Sequence, residues 1–452
     1  MAFTPDKLLA TIARLLPEAP RYWVAYSGGL DSHVLLHALV QRRSRLRGAL
    51  HAVHVDHGLH PESAHWSSHC ERVCAALNIP CRVARVDAAP ALGQSPEAAA
   101  RAARYAALQS VLAPGDGLLT AHHRGDQAET VLLQLLRGSG PRGLAGMPAL
   151  ARFGAGWLAR PLLDFDRAEL REYALQHGLH WIEDSSNVDA RFDRNYLRHE
   201  ILPRLLARWP GASRALARAA RHNAEAAHLL HALARIDLGP LRGCAPDTLS
   251  ASALHALDPA RRRNALRAWI EERGAPALSS VQLEQALTGV LECAPDAVPR
   301  LHWPGAELRR YRDEVYLLSV PAPHDPGVSL AWDMREPLSL PAELGTLTAV
   351  PVVGTGLKAV LCRQEAVTVR FRRGGERCRP ARRGHDHALK KLFQEQGVPP
   401  WQRDRIPLIY LGDGLAAVAG LWVCEPFQAD PGEDGLQVQW RLPEDGVLRT
   451  ED

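Results

Sequence analysis

A chain of 452 residues is long enough for two to four domains, not one. Hydrophobic residues make up 46% and charged residues 23%, the balance of a soluble globular protein, and no apolar run approaches the length needed to span a bilayer. A net charge of +4 is too small to name a partner, and the first ten residues lack the apolar stretch of a secretory signal.

The first apolar run, Tyr22 to Tyr26, predicts a strand. Ser27-Gly28-Gly29-Leu30-Asp31-Ser32 follows, and then an apolar-periodic helix from His33 to Val40. A glycine turn at a helix N-terminus aims several backbone N–H groups and the positive end of the dipole at one point, which suits phosphate. A Walker A loop needs a lysine after its glycines, and this turn has none. Asp31 stands in its place, where it can hold a magnesium ion. An ordinary Gly-Gly turn with a capped helix has the same local pattern.

Further strands are predicted at Leu50 to Val55, Cys81 to Val86, Gly117 to Ala121 and His180 to Ile182. Helices are predicted between them: Ser63 to Leu77; one starting at Ser95-Pro96-Glu97; Gln127 to Arg137; and one opened by the capping box Asp166-x-x-Glu169. Strands alternating with helices imply a doubly wound parallel α/β sheet, in which ligands bind beyond the carboxyl ends of the strands. Four polar clusters fall there: Ser27 to Ser32, Asp56 to Gly58, His122 to Glu129 and Glu183 to Asn187.

From about Ala215 the pattern becomes helical: Arg214 to Leu238, Arg261 to Gly274 and Val281 to Leu291. Val320 to Gly327 is proline-rich and reads as a linker. Short β-like runs at Ala366 to Phe371, Leu408 to Tyr410 and Leu415 to Val423 then surround a helix at His387 to Gln396. These shifts suggest a catalytic α/β domain at 1–214, a helical middle domain at 215–320, a linker at 321–345 and a small α+β domain at 346–440. Between Arg370 and Arg405 there are eleven basic residues against four acidic ones, a local excess that fits a nucleic-acid surface or a solvated charged face. The eight cysteines are dispersed with no C-x-x-C pair, which predicts reduced thiols and a cytoplasmic protein. His54, His57 and His60 recur three apart with no cysteine at metal spacing nearby, so a zinc site is not expected.

Three strings carry candidate chemistry. Arg101 and Arg104 share a helix face with Glu97 one turn earlier, a pattern that serves either a phosphate or a surface ion-pair helix. Asp126 and Glu129 lie three apart where a strand gives way to a helix, and can grip an ammonium group, share a metal or stabilise the helix dipole. The polar string Asp184 to His199 offers Arg194 as a further cation.

The loop Ser27 to Ser32 resembles that of the ATP pyrophosphatase (PP-loop) enzymes. The ordered set of strings resembles the tRNA(Ile)-lysidine synthase family within them. It comprises Ser27–Ser32, Val55–Leu59, Glu97–Tyr105, His122–Thr130, Leu135–Gly140, Arg160–Leu163, Asp193–His199, Leu389–Trp401, Arg403–Leu408 and Gly420–Trp422. The resemblance covers both ends of the chain, with one departure: Gly125 stands where the family string usually has an aspartate.

It implies an adenine nucleotide α-hydrolase-like catalytic domain that uses ATP and Mg2+. The enzyme would adenylate the wobble cytidine of the CAU anticodon of a minor isoleucine tRNA and then join free L-lysine to it. Ser27, Gly28, Gly29, Leu30, Asp31 and Ser32 would bind ATP, with Asp31 as a magnesium contact. Arg101 would stabilise phosphate charge. Asp126, Glu129 and Arg194 would recognise lysine. In the basic segment, Arg379, Arg382, Arg383, Lys390, Lys391 and Arg403 are the expected phosphate contacts on tRNA. A homodimer is compatible with the family, and no membrane partner is expected. A PP-loop tRNA thiolase and a non-catalytic RNA-binding relative are the competing readings.

Overall fold

Alternating burial along Arg21–Ala25 (β1), with Tyr22 and Val24 turned inward, makes this segment the centre of a six-stranded sheet. The other strands are β2 (Ala49–Asp56), β3 (Cys81–Arg85), β4 (Gly117–Leu119), β5 (Leu150–Phe153) and β6 (Gly156–Ala159). Their order is β3-β2-β1-β4-β6-β5, parallel throughout except for the edge hairpin β5–β6. The chain winds outward from β1 through β2 and β3, then returns to β4 on the other side. The strand order therefore reverses between β1 and β4, the position where such sheets bind ligands. The computed structural model describes residues 2–56, 58, 62–87, 96–183, 191–294, 297–319, 323–380 and 384–442. They fall into two compact units, Met1–Leu230 and His231–Asp452.

Helices α1 (Pro5–Leu15), α2 (Leu30–Val40), α3 (Ser63–Ala76), α4 (Pro96–Ser110), α5 (Arg124–Leu136), α6 (Pro141–Leu144) and α7 (Arg167–Gln176) belong to the first unit. α2 is buried on nearly every face, as an apolar helix behind a sheet should be. α8 (Asp193–Tyr196) runs into a π-helical turn at Leu197–Ile201, then into α9 (Leu202–Arg208), with α10 (Ala212–Leu238) beyond. Two expectations are corrected. His180 to Ile182 is no strand: the Ile182 amide donates to the carbonyl of Gly28 at 3.0 Å, so this run lines the turn after β1. Residues 150–159, read as no element from the sequence, form the β5–β6 hairpin that completes the sheet.

In the second unit, α11 (Ala251–Ala256), α12 (Pro259–Glu272) and α13 (Ser280–Gln285) share one core with β7 (Leu249–Ser250), β8 (Arg300–Trp303), β9 (Ala306–Tyr311) and β10 (Glu314–Leu318). The expected helical region is present and carries a small sheet in the same core. The β8–β10 meander supplies Trp303, Leu308 and Val315 to the same core as Leu266 and Trp269 of α12.

The described part of the expected linker 321–345 is folded. β11 (Ser329–Ala331) pairs with residues 368–370, and Trp332, Met334, Leu340 and Leu344 enter a core with Val369 and Ile409. The strands of that region are β12 (Leu338–Ser339), β13 (Thr346–Val353), β14 (Leu357–Lys358), β15 (Val367–Arg370), β16 (Arg377–Cys378), β17 (His387–Ala388), β18 (Leu408–Leu411), β19 (Gly414–Val418), β20 (Trp422–Val423) and β21 (Asp434–Arg441). They form sheets in the orders β11-β15-β18-β19-β20 and β12-β13-β21-β14, with a β16–β17 pair, beside α14 (Ala359–Gln364), α15 (Leu389–Glu395) and α16 (Pro400–Arg403).

The reading of all eight cysteines as free thiols is also corrected. Cys378 and Cys424 form a disulfide because the Pro380–Cys424 bridge brings distant segments together, with Cα atoms 5.8 Å apart. Among the described residues no helix is long and apolar enough to cross a membrane.

Candidate active site

The turn after β1 is built by its own hydroxyls. The Ser32 Oγ donates to the carbonyl of Gly29 at 3.0 Å, accepts from the Ser27 amide at 3.2 Å and lies 3.0 Å from the Ser27 Oγ. Gly28 has φ +82°, and a Cβ there would stand 2.9 Å from the Ile182 Cδ1, so both backbone and space demand glycine. Gly29 caps α2 without a side chain, so the first-turn amides of the helix face outward as a cradle for an anion. Leu30 anchors the turn in the core.

Asp31 lies at this turn. Its Oδ2 is 3.8 Å from the His123 Nε2 and 3.7 Å from the Arg167 Nε, while its Oδ1 is buried with no hydrogen-bond partner. Burial raises the Asp31 carboxyl above its ordinary range, against the pull of His123 and Arg167. A buried carboxylate oxygen with no partner fits one bond to a hard cation. Among the described residues no group of three or more His, Cys, Asp or Glu converges as a metal cage. A Mg2+ ion here would thus take its other oxygens from phosphate and water, as Mg2+ commonly does.

β4 leads into the second half of the site. His123 is the N-cap of α5: its Nδ1 accepts from the Asp126 amide at 3.3 Å, and its own amide donates to the Asp126 Oδ2 at 2.9 Å. Arg124 fixes the entry of α5 by pairing with Asp166 and by donating its amide to the carbonyl of Phe165 at 3.0 Å. Asp126 therefore completes a capping box with His123 at the N-terminus of α5, and has a second role besides. Its Oδ1 accepts from the Arg194 Nη2 at 3.1 Å and from the Arg198 Nη2 at 2.9 Å.

Glu129, 2% exposed, accepts from the Arg194 Nε at 2.8 Å, the Arg198 Nε at 2.6 Å and the Arg198 Nη2 at 2.9 Å. Burial opposes the charge on Asp126, but His123, Arg194 and the His123 amide outweigh it and hold the carboxyl below its usual range. His122 sits at the end of β4 with its Nδ1 2.9 Å from the Thr120 Oγ1, and burial depresses it to about 4, so it is neutral near pH 7.

The structure brings together Ser27–Ser32, Asp31, Asp126, Glu129 and Arg194. Arg101 is less engaged: it is exposed on α4, with its Nη2 3.1 Å from the Tyr105 hydroxyl and its guanidinium 4.8 Å over that ring. The Glu97 side chain and residues 184–190 lie outside the described residues, as do Arg382 and Arg383.

Of the expected tRNA contacts, Lys390 and Lys391 are exposed on α15, and Arg379 is half-buried near Asp386 and Glu425. Arg403 is corrected. It is 7% exposed, with its Nε donating to the Val398 carbonyl and its Nη2 to the Tyr311 hydroxyl, so it is an interior residue and not a surface phosphate contact.

The sequence reading missed His123 and Arg198, although both lie in quoted strings. The signal for Arg198 was its place four residues after Arg194, which puts both guanidiniums on one helix face. Gly125 also acquires a reason: a Cβ there would lie 2.8 Å from the His123 Cε1, so glycine lets that ring cap α5.

Residues 5–205 match the PP-loop domain family, 249–316 the TilS substrate binding domain and 367–440 the TilS substrate C-terminal domain. The tRNA(Ile)-lysidine synthase of Coxiella burnetii is 45% identical over 98% of this chain and 97% of its own. That of Alkalilimnicola ehrlichii is 46% identical over 96% of this chain and 97% of its own. Among solved structures, the U34-tRNA thiolase NcsA from Methanococcus maripaludis is similar over 48% of this chain and 77% of that one, at 18% identity and a TM-score of 0.41. With such identity sustained from end to end, the chain belongs to the tRNA(Ile)-lysidine synthase family.

Proposed function

We propose that this chain is an ATP-dependent ligase that converts the wobble cytidine of a CAU-anticodon isoleucine tRNA to lysidine. Two steps are required. The cytidine O2 attacks the α-phosphorus of ATP, the α–β bridging bond breaks and pyrophosphate leaves. The lysine ε-amine, after losing a proton, then attacks C2, the C2–O bond breaks and AMP leaves. The observation that carries this reading is the single imidazole of His123 set between the two halves of the site, 3.8 Å from Asp31 and 3.4 Å from Asp126. A phosphate cradle and an anionic subsite for a cation are thereby neighbours, as a sequential adenylation and amine transfer needs.

Each residue has a part in this scheme. The turn amides and Ser27 to Ser32 orient the triphosphate, and Arg101 stabilises the charge that develops as the α–β bond breaks. Asp31 would hold Mg2+, which supplies charge neutralisation to the phosphates when bound. Asp126 and Glu129 receive the lysine ammonium, and Arg194 its carboxylate. Holding nucleotide, base and amine together supplies much of the rate gain by positioning. The anticodon loop presents the base unpaired, and Lys390 and Lys391 contact the phosphates of the tRNA.

The test is incubation of the protein with ATP, radiolabelled lysine and isoleucine tRNA carrying an unmodified CAU anticodon. Label should enter the tRNA with release of AMP and pyrophosphate. No label at saturating substrates would sink the proposal.

A further inference from the structure

Asp126, Glu129, Arg194 and Arg198 form a closed set of two anions and two cations. Every carboxylate oxygen in it already accepts a hydrogen bond. The Glu129 Oε1 takes Arg198, and its Oε2 takes Arg194 and Arg198. The Asp126 Oδ1 takes both arginines, and its Oδ2 takes the His123 amide. The side chains of Glu129 and Asp126 are 2% and 11% exposed, so water supplies little further bonding. An incoming ammonium group meets a set with no net charge, in which every carboxylate oxygen already holds at least one donor. It gains a full set of charge-assisted hydrogen bonds only if one guanidinium leaves.

Arg198 is the better placed to leave. Among the described residues it makes three hydrogen bonds to these two carboxylates against two from Arg194, so its departure opens as many acceptor positions as an ammonium has donors. It stands on the π-helical turn Leu197–Ile201, between the α-helical segments Asp193–Tyr196 and Leu202–Arg208. A π turn closes its backbone hydrogen bond over one residue more than an α turn, and such turns are frequent at functional sites. Arg194 lies in the preceding α-helical segment.

We propose that Arg198 is an internal placeholder: in the ligand-free enzyme its guanidinium fills the subsite for the lysine ammonium, and lysine enters by displacing it. This rests on the reading of Asp126 and Glu129 as that subsite. The exchange keeps the buried carboxylates neutralised at every stage, one cation leaving as another arrives. It also makes the affinity for lysine a difference between two cations competing for the same oxygens.

The experiment is equilibrium dialysis of radiolabelled lysine against the full-length wild type and Arg198→Met, with the lysine KM and kcat of tRNA labelling measured beside it. Methionine keeps an apolar stem and removes the competing charge. A placeholder predicts a lysine Kd at least about tenfold lower in the variant, the effect of deleting a charge-assisted competitor. The KM should fall in parallel. A purely structural Arg198, which shapes the subsite, predicts the opposite, and an unchanged or higher Kd overturns the proposal. If Arg198→Met does not fold, Arg198→Lys is read the same way, with a smaller fall expected because an ammonium lacks the guanidinium fork. Wild-type protein that labels no tRNA defeats the proposed function. Wild-type protein that does, beside a variant with unchanged Kd, defeats only the placeholder.

Discussion

The Arg403 Nη2 donates to the Tyr311 hydroxyl at 3.1 Å across 92 residues of chain, and its Nε donates to the Val398 carbonyl at 2.9 Å. Trp401, two residues earlier, meets the rings of Tyr311 and Tyr316 edge-on, with the Arg309 guanidinium 5.0 Å from its centroid. Arg403 is thus part of a seam between the end of α15–α16 and the β9–β10 hairpin. Arg403→Ala should destabilise the protein by about 1–3 kcal/mol, since it leaves two acceptors without their charged donor. Thermal melting checks this, and the salt dependence of tRNA binding should stay as in the wild type.

The opposite pattern is expected at Lys390 and Lys391, which are exposed on α15. Replacing both by alanine should leave the melting temperature nearly unchanged and weaken tRNA binding. Each lost phosphate contact should flatten the plot of log affinity against log salt by about 0.7–0.9. An unchanged slope would remove this helix from the tRNA surface.

Glu129→Gln should raise the lysine KM by about tenfold or more while ATP–pyrophosphate exchange in the presence of tRNA changes less. The substitution removes the charge that an ammonium needs and keeps the shape. Glu129 contacts Arg194 and Arg198, whereas the phosphate cradle is shaped by Ser27 and Ser32. Equal loss of both activities would refute an assignment of Glu129 to lysine alone.

Gly28→Ala should abolish ATP use. The position has φ +82°, where a side chain costs about 1–2 kcal/mol, and the added methyl meets the Ile182 Cδ1 at 2.9 Å. Nucleotide binding read by fluorescence of a labelled ATP analogue should fall together with pyrophosphate release.

Acid should weaken the first unit through its buried histidines. Burial depresses His33 to about 4, and its Nδ1 has no hydrogen-bond partner. The unfolded chain has an ordinary histidine near 6.5 and binds the proton first. The neutral form thus supports folding fully above about pH 6.5, and that support is lost as pH falls toward 4, on the order of 2 kcal/mol. His122, depressed to about 4 by burial, acts in the same direction. The melting temperature should drop across this window, and His33→Leu should lessen the drop.

Much of the site could be read without coordinates because its parts are local. A strand, a glycine pair and a helix start announce the cradle, and the i,i+3 spacing of Asp126 and Glu129 puts both on one face of α5. What could not be read depends on distant partners. Arg403 stands in the most basic stretch of the chain, and only Tyr311 explains why it is inside. The Cys378–Cys424 disulfide joins residues 46 apart that carry no spacing signal. The β5–β6 hairpin has strands of four residues each, too short to show a period. Residues 323–345 look like a linker because prolines cluster at their start, and their apolar residues become meaningful only against Val369 and Ile409.

The hydrogen bond from Ile182 to Gly28 has a kinetic consequence. Ile182 backs the turn proposed to hold the triphosphate, meeting Gly28 through both its amide and its side chain. The shape of that turn is consequently held by a residue far along the chain as well as by its own strand and helix. Loosening that contact, as Ile182→Gly does, should slow the rate of pyrophosphate release more than it weakens the hold on lysine.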